Sequence, residues 1–110
     1  MTDTISVREI FSLYIPNAIT PNEDGLNDGF TPRGLNVDPN SFEMYIFDRW
    51  GKQFFYTTKW YDTSGETWNG TINNSGTYND IVMGVYVFRI LLKEIGGLKH
   101  EYLGKVTIIQ

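Results

Sequence analysis

The sequence predicts an all-β domain, an Ig-like antiparallel β-sandwich of about seven strands. Three observations carry that expectation. Apolar residues alternate with a period of two, clusters of Gly, Asn, Asp and Pro separate the alternating segments, and no apolar set recurs at the 3.6-residue spacing of an amphipathic helix. Short strands joined by turns, with no helix to cover them, bury their apolar faces best as two packed sheets.

In chain order, Ile5 and Val7, then Ile10, Phe11, Leu13 and Ile15, predict one or two early strands that stop at Pro16. A long polar loop follows to Phe30. Phe42-Glu-Met-Tyr-Ile-Phe47 alternates so that Phe42, Met44 and Ile46 share one face while Tyr45 and Phe47 share the other. Asp48-Arg49-Trp50-Gly51 supplies turn chemistry, and Gln53 to Thr58 resumes with aromatic and β-branched residues. The pair is a hairpin with a four-residue connection, and its large side chains predict two central strands. Trp68-Asn69-Gly70-Thr71 is a compact turn, because Asn-Gly tolerates positive φ. Val85 to Leu92 is the clearest strand in the chain. Gly96-Gly97 reverses it, and the returning strand runs from about Lys99 to Ile109.

At 110 residues the chain fits one domain, and a domain of this size hides about two-thirds of the surface its unfolded chain exposes. Seven Phe, seven Tyr and three Trp are too much apolar surface for a disordered segment. With no cysteine there is no disulfide framework, thiolate metal site or cysteine nucleophile. A net charge of −4, with the nine Lys and Arg scattered, argues against nucleic acid and anionic membrane as partners. No apolar run approaches the roughly 20 residues that span a bilayer, and the first residues carry no signal-peptide pattern, so no membrane insertion is expected.

Catalysis needs titratable groups brought together, and the chain marks none. The single histidine, His100, falls in a predicted strand and reads as a surface residue. No nucleophile elbow, phosphate-binding glycine loop or zinc-binding helix motif is present. The chain therefore reads as non-enzymatic.

The stretch IPNAITPNEDGLNDGF, Ile15 to Phe30, is the stronger site candidate. Asn22, Asp24, Asn27 and Asp28 offer the oxygen ligands that calcium takes, and Gly25 sits where a sharp turn lets them converge. The match to the helix-loop-helix calcium pattern is partial, since Thr20 holds the first ligand position and Thr31 the place of the closing carboxylate. The competing reading is that the same side chains accept hydrogen bonds from nearby backbone N–H groups and organise the turn without a metal. A second candidate is a sugar-stacking platform made by Trp50 and Trp60-Tyr61. Against it stands the general tendency of Trp to be buried, with Trp50 and Trp68 covering the ends of the core.

Five segments taken together resemble a known family: IPNAITPNEDGLNDGFTPRGL, FEMYIFDRWGKQFFYTT, WNGT, GVYVFRI and HEYLGKVTIIQ. In order and spacing they are similar to the gliding motility-associated C-terminal domain, the type B sorting domain of the type IX secretion system of Bacteroidetes. The signature loop comprises Pro16, Asn17, Thr20, Pro21, Asn22, Asp24, Gly25, Asn27, Asp28 and Phe30. Glu23 stands where the family usually has glycine.

The resemblance implies that residues 14–110 form the sorting domain, with 1–13 as a first strand or as a linker to a parent protein. It implies a non-enzymatic address at the end of a larger cargo, often a surface adhesin. That cargo would travel through the periplasm to the cell surface or medium. The implied partners are the outer-membrane translocon and its shuttle or accessory proteins. No cofactor is required beyond a candidate structural calcium, and the isolated domain is expected to be monomeric. A terminal strand can offer edge hydrogen bonds to a receptor, which singles out Gly104, Lys105, Val106, Thr107, Ile108, Ile109 and Gln110. The runner-up is a carbohydrate-binding or adhesive β-sandwich, which would bind glycans through its aromatics and opening loop.

Overall fold

The computed structural model describes residues 10–21, 28–61 and 67–109. Seven strands form among them: β1 (Ser12–Tyr14), β2 (Ala18–Ile19), β3 (Arg33–Leu35), β4 (Glu43–Phe47), β5 (Gln53–Thr57), β6 (Gly84–Lys93) and β7 (Lys99–Ile108). They make a two-stranded sheet, β1-β3, and a five-stranded sheet in the order β2-β7-β6-β4-β5. The architecture is all-β and sandwich-like. The only other regular elements described are three-residue 3-10 turns at Pro39–Ser41, Ile72–Asn74 and Tyr78–Asp80.

The period-two pattern decides which face is buried. Phe42, Met44 and Ile46 beside or within β4, Tyr86, Phe88, Ile90 and Leu92 of β6, and Val106 and Ile108 of β7 all point into one core. Ile19 of β2, Phe30 and Val37 on either side of β3, and Trp60 and Trp68 from the connections after β5 close that core. Burial of this apolar set is the main term holding the sheets together.

The strands expected from Ile5 and Val7 lie outside the described residues. Of the Ile10–Ile15 segment, only Ser12–Tyr14 is strand. β2 and β3 fall in segments that carry no alternation, and each is too short to show any. The pairing is antiparallel throughout except that β2 runs parallel to β7, Ala18 beside Thr107 and Ile19 beside Ile108.

The β4–β5 hairpin forms where expected, but only β4 is central; β5 is the outermost strand. Aromatic content reported burial rather than position in the sheet. The register slips between Ile46 and Phe47, so that Phe54 is an extra residue on β5. That bulge turns Phe54 inward beside buried Phe55, edge-on to Tyr86 at 5.3 Å between ring centroids.

Candidate recognition surface

The described start of the signature loop and the end of the last strand meet at one pole of the sandwich. Asn17 and Ile19 accept backbone hydrogen bonds from the N–H groups of Thr107 and Ile109, each 3.0 Å. The outer edge of β7 is therefore occupied at these residues by β2, and the terminal strand presents side chains there rather than bare backbone. Val106 and Ile108 are core residues, Thr107 is half-buried, and Lys105 and Ile109 are exposed. Gly104 lies beneath Phe88, whose Cζ would come within 2.5 Å of any Cβ at that position. Gln110 lies outside the described residues.

At the far side of the loop, Phe30 exchanges two backbone hydrogen bonds with Trp68, at 2.8 and 3.0 Å. Its ring packs 5.5 Å from that of Phe88. Trp68 donates from Nε1 to the Thr71 carbonyl at 2.8 Å. Asn69 Oδ1 accepts from both the N–H and the hydroxyl of Thr71, at 2.9 and 2.6 Å. The Asn69 N–H in turn donates to Asn74 Oδ1 at 2.8 Å. Gly70 carries φ +97°, as the Asn-Gly turn requires, and sits against Ile108 and Ile81. A cavity of about 210 Å³ opens beside it, lined by Pro21, Asp28, Asn69, Thr77, Tyr78 and Ile81.

Of the signature loop, Pro16 and Thr20 are half-buried, Asn17 is exposed, and Pro21 and Phe30 are buried. Asn22, Asp24, Gly25 and Asn27 lie outside the described residues, and with them three of the four candidate calcium ligands. Among the described residues no group of three or more His, Asp or Glu side chains converges on a point that could hold a metal.

The aromatic platform does not form. Trp60 is 2% exposed and packs edge-on to Phe42 at 5.1 Å, so it is core rather than a sugar-stacking face. Trp68 is fully buried as core cover, but Trp50 is 76% exposed and covers nothing. A flanking turn gave no signal that separated these cases. His100 is less exposed than a surface residue: it hydrogen-bonds Glu94 Oε2 at 2.7 Å and stacks on Phe11 at 4.5 Å.

Burial raises the phenol pKa of Tyr86 above its ordinary value, and the Asp48 carboxylate adds to the effect. Burial, then Glu94, does the same to Tyr102. On the outward face, the hydrogen bond from Tyr45 to Glu43 holds the Tyr45 phenol up.

In this sandwich Asn17 and Ile19 are pinned to the last strand, and Phe30, Trp60 and Trp68 serve the core. The model of the CHU_C Type IX secretion signal domain matches residues 13–108. The chain belongs to this family. No curated protein matches it. The family is a secretion signal, not an enzyme family, and its role is to mark a protein for the type IX machinery and for delivery to the cell surface or medium. No helix among the described residues is long and apolar enough to cross a membrane. Sequence reasoning had passed over Val82 and Met83, exposed just before β6, and the two-residue strand β2 that seals the edge of β7.

Proposed function

We propose that this signal domain is the folded address of a larger cargo, a surface adhesin of a gliding Bacteroidetes bacterium. In this reading the cargo reaches the periplasm, where the domain folds and is read by the outer-membrane translocon or a shuttle protein. The observation that carries the reading is the family match over residues 13–108, which takes in all of β2 to β7 and all of β1 but Ser12.

The recognition residues are the side chains at the pole where β7 ends, Lys105, Thr107 and Ile109, with Asn17 and Thr20 of the signature loop beside them. β2 already occupies the backbone edge at Thr107 and Ile109. A receptor reads this pole by its side chains, or by taking the place of two-residue β2.

Competition tests the proposal. The domain, exported alone and in excess into the periplasm of a type IX-competent host, should lower release of the host's own type IX cargo in proportion to its level. Unchanged release in the presence of abundant, folded domain would contradict it.

A further inference from the structure

Trp50 stands at the tip of the β4–β5 turn with three-quarters of its surface in water. The turn that carries it is closed by its own hydrogen bonds. Asp48 Oδ1 accepts from the N–H groups of Trp50 and Lys52, both at 2.9 Å. The Asp48 N–H donates to the Lys52 carbonyl at 2.9 Å, and the Gly51 N–H to the Asp48 carbonyl at 3.1 Å. The Arg49 guanidinium lies 4.4 Å from the centroid of the indole ring. Such stacking favours this arrangement of the pair before any partner arrives.

Next to it, Val82 and Met83 are 65% and 55% exposed, and with Val85 they share a shallow cleft of about 40 Å³ with Arg49 and Trp50. The Tyr86 hydroxyl fixes this segment by donating to the Val82 carbonyl at 2.7 Å. Single exposed apolar residues are ordinary, but here Trp50 and Arg49, two residue types in which binding hot spots are enriched, adjoin exposed Met83 and Val82.

Two observations say what covers it. The first is charge. The domain carries −4 overall, yet Arg49 lies on the indole and Lys52 of the same turn is exposed, while Asp48 is occupied by backbone N–H groups. The complement is a surface with an apolar pocket rimmed by carboxylates.

The second is polarity. The described chain enters at Ile10 and Phe11, which stacks on His100 near the β6–β7 turn. The register then carries β7 from Lys99 beside Lys93 to Ile108 beside Gly84, and sets Phe47 beside Val87. Trp50 therefore sits at the other pole from Phe11, roughly 30 Å along the strands.

We propose that Arg49 and Trp50, with Val82 and Met83, form the knob by which the secretion machinery grips this domain, through an apolar pocket edged with acidic side chains. This deepens the sorting reading and rests on it.

The test is export of a fluorescent cargo fused ahead of the full chain in a type IX-competent host, comparing wild type with Trp50→Ala, Arg49→Glu and Met83→Asp. All three side chains reach into solvent, so the purified variants should melt within a few degrees of wild type. Each should lower export at least tenfold, and Trp50→Phe should retain most of it.

Folded Trp50→Ala exported like wild type overturns the knob and leaves the sorting reading standing. A wild-type fusion that stays in the periplasm overturns the sorting reading, and the knob with it. If Trp50→Ala does not fold, Arg49→Glu and Met83→Asp decide between the same outcomes. A dimer of the wild-type domain that Trp50→Ala abolishes in sedimentation would assign the patch to a second copy, against the proposal. Trp50-dependent binding to phosphatidylglycerol vesicles would assign it to membrane and overturn it likewise.

Discussion

Gly104 shows how tightly one residue can be specified. The ring of Phe88 lies where a side chain at this position would be, and Phe88 is itself held against Phe30 in the core. A methyl group added there must displace an aromatic ring that has little room to move. Gly104→Ala should cost about 1–3 kcal/mol, read from the denaturation midpoint. Phe88→Leu in the same chain should recover part of that loss, which would show in a double-mutant cycle.

Tyr86 and Tyr102 make the alkaline limit of stability a residue-scale property. Burial is the first cause of the raised pKa at both phenols. In the unfolded chain they ionise near pH 10, where the folded chain keeps them neutral. The unfolded state then binds fewer protons, so the stabilisation from these phenols is complete below about pH 10 and declines as pH rises through it. The melting temperature should fall above that point, and Tyr86→Phe should shallow the fall. A fall unchanged by the substitution would place the cause elsewhere.

The elements differ in how far their sequence announced them. β4, β6 and β7 are buried on one face and wet on the other, so the alternation of Met44 with Tyr45, or Phe88 with Arg89, carries a clear signal. β2 and β3 have two and three residues and take their form from neighbours already in place. No local pattern could reveal that Ala18 and Ile19 would lie parallel to Thr107 and Ile108. The bulge at Phe54 was hidden for a related reason: a register slip reverses the expected alternation.

The Trp68–Ser75 loop is the reverse case, in which local chemistry suffices. Asn69 holds the N–H and the hydroxyl of buried Thr71, so the turn is built from its own side chains. Asn69→Ala should leave the Thr71 N–H buried without its acceptor and cost about 1–3 kcal/mol. Asn69→Asp, which keeps the oxygen, should cost less. Equal loss in both variants, measured by thermal unfolding, would mean that the amide N–H₂ carries the stability instead.

At the scale of the whole molecule the domain has two unlike poles. One holds the β6–β7 turn and the His100–Phe11 stack. The other holds the end of β7, the signature loop and the exposed Trp50 tip. The sandwich itself was legible in the sequence, because core patterning is distributed over many positions. The pole proposed for recognition was legible only in part. Burial separates Trp60 from Trp50, and two tryptophans beside turns look alike until the chain is folded.

A sorting domain should be sufficient as well as necessary, and export measures this directly. A fluorescent protein carrying an N-terminal signal peptide and this chain at its C-terminus would be followed in a type IX-competent strain and in the same strain lacking its outer-membrane translocon. The sorting account predicts fluorescence on the cell surface or in the medium of the first strain and in the periplasm of the second. Periplasmic retention of a folded fusion in both strains would contradict it.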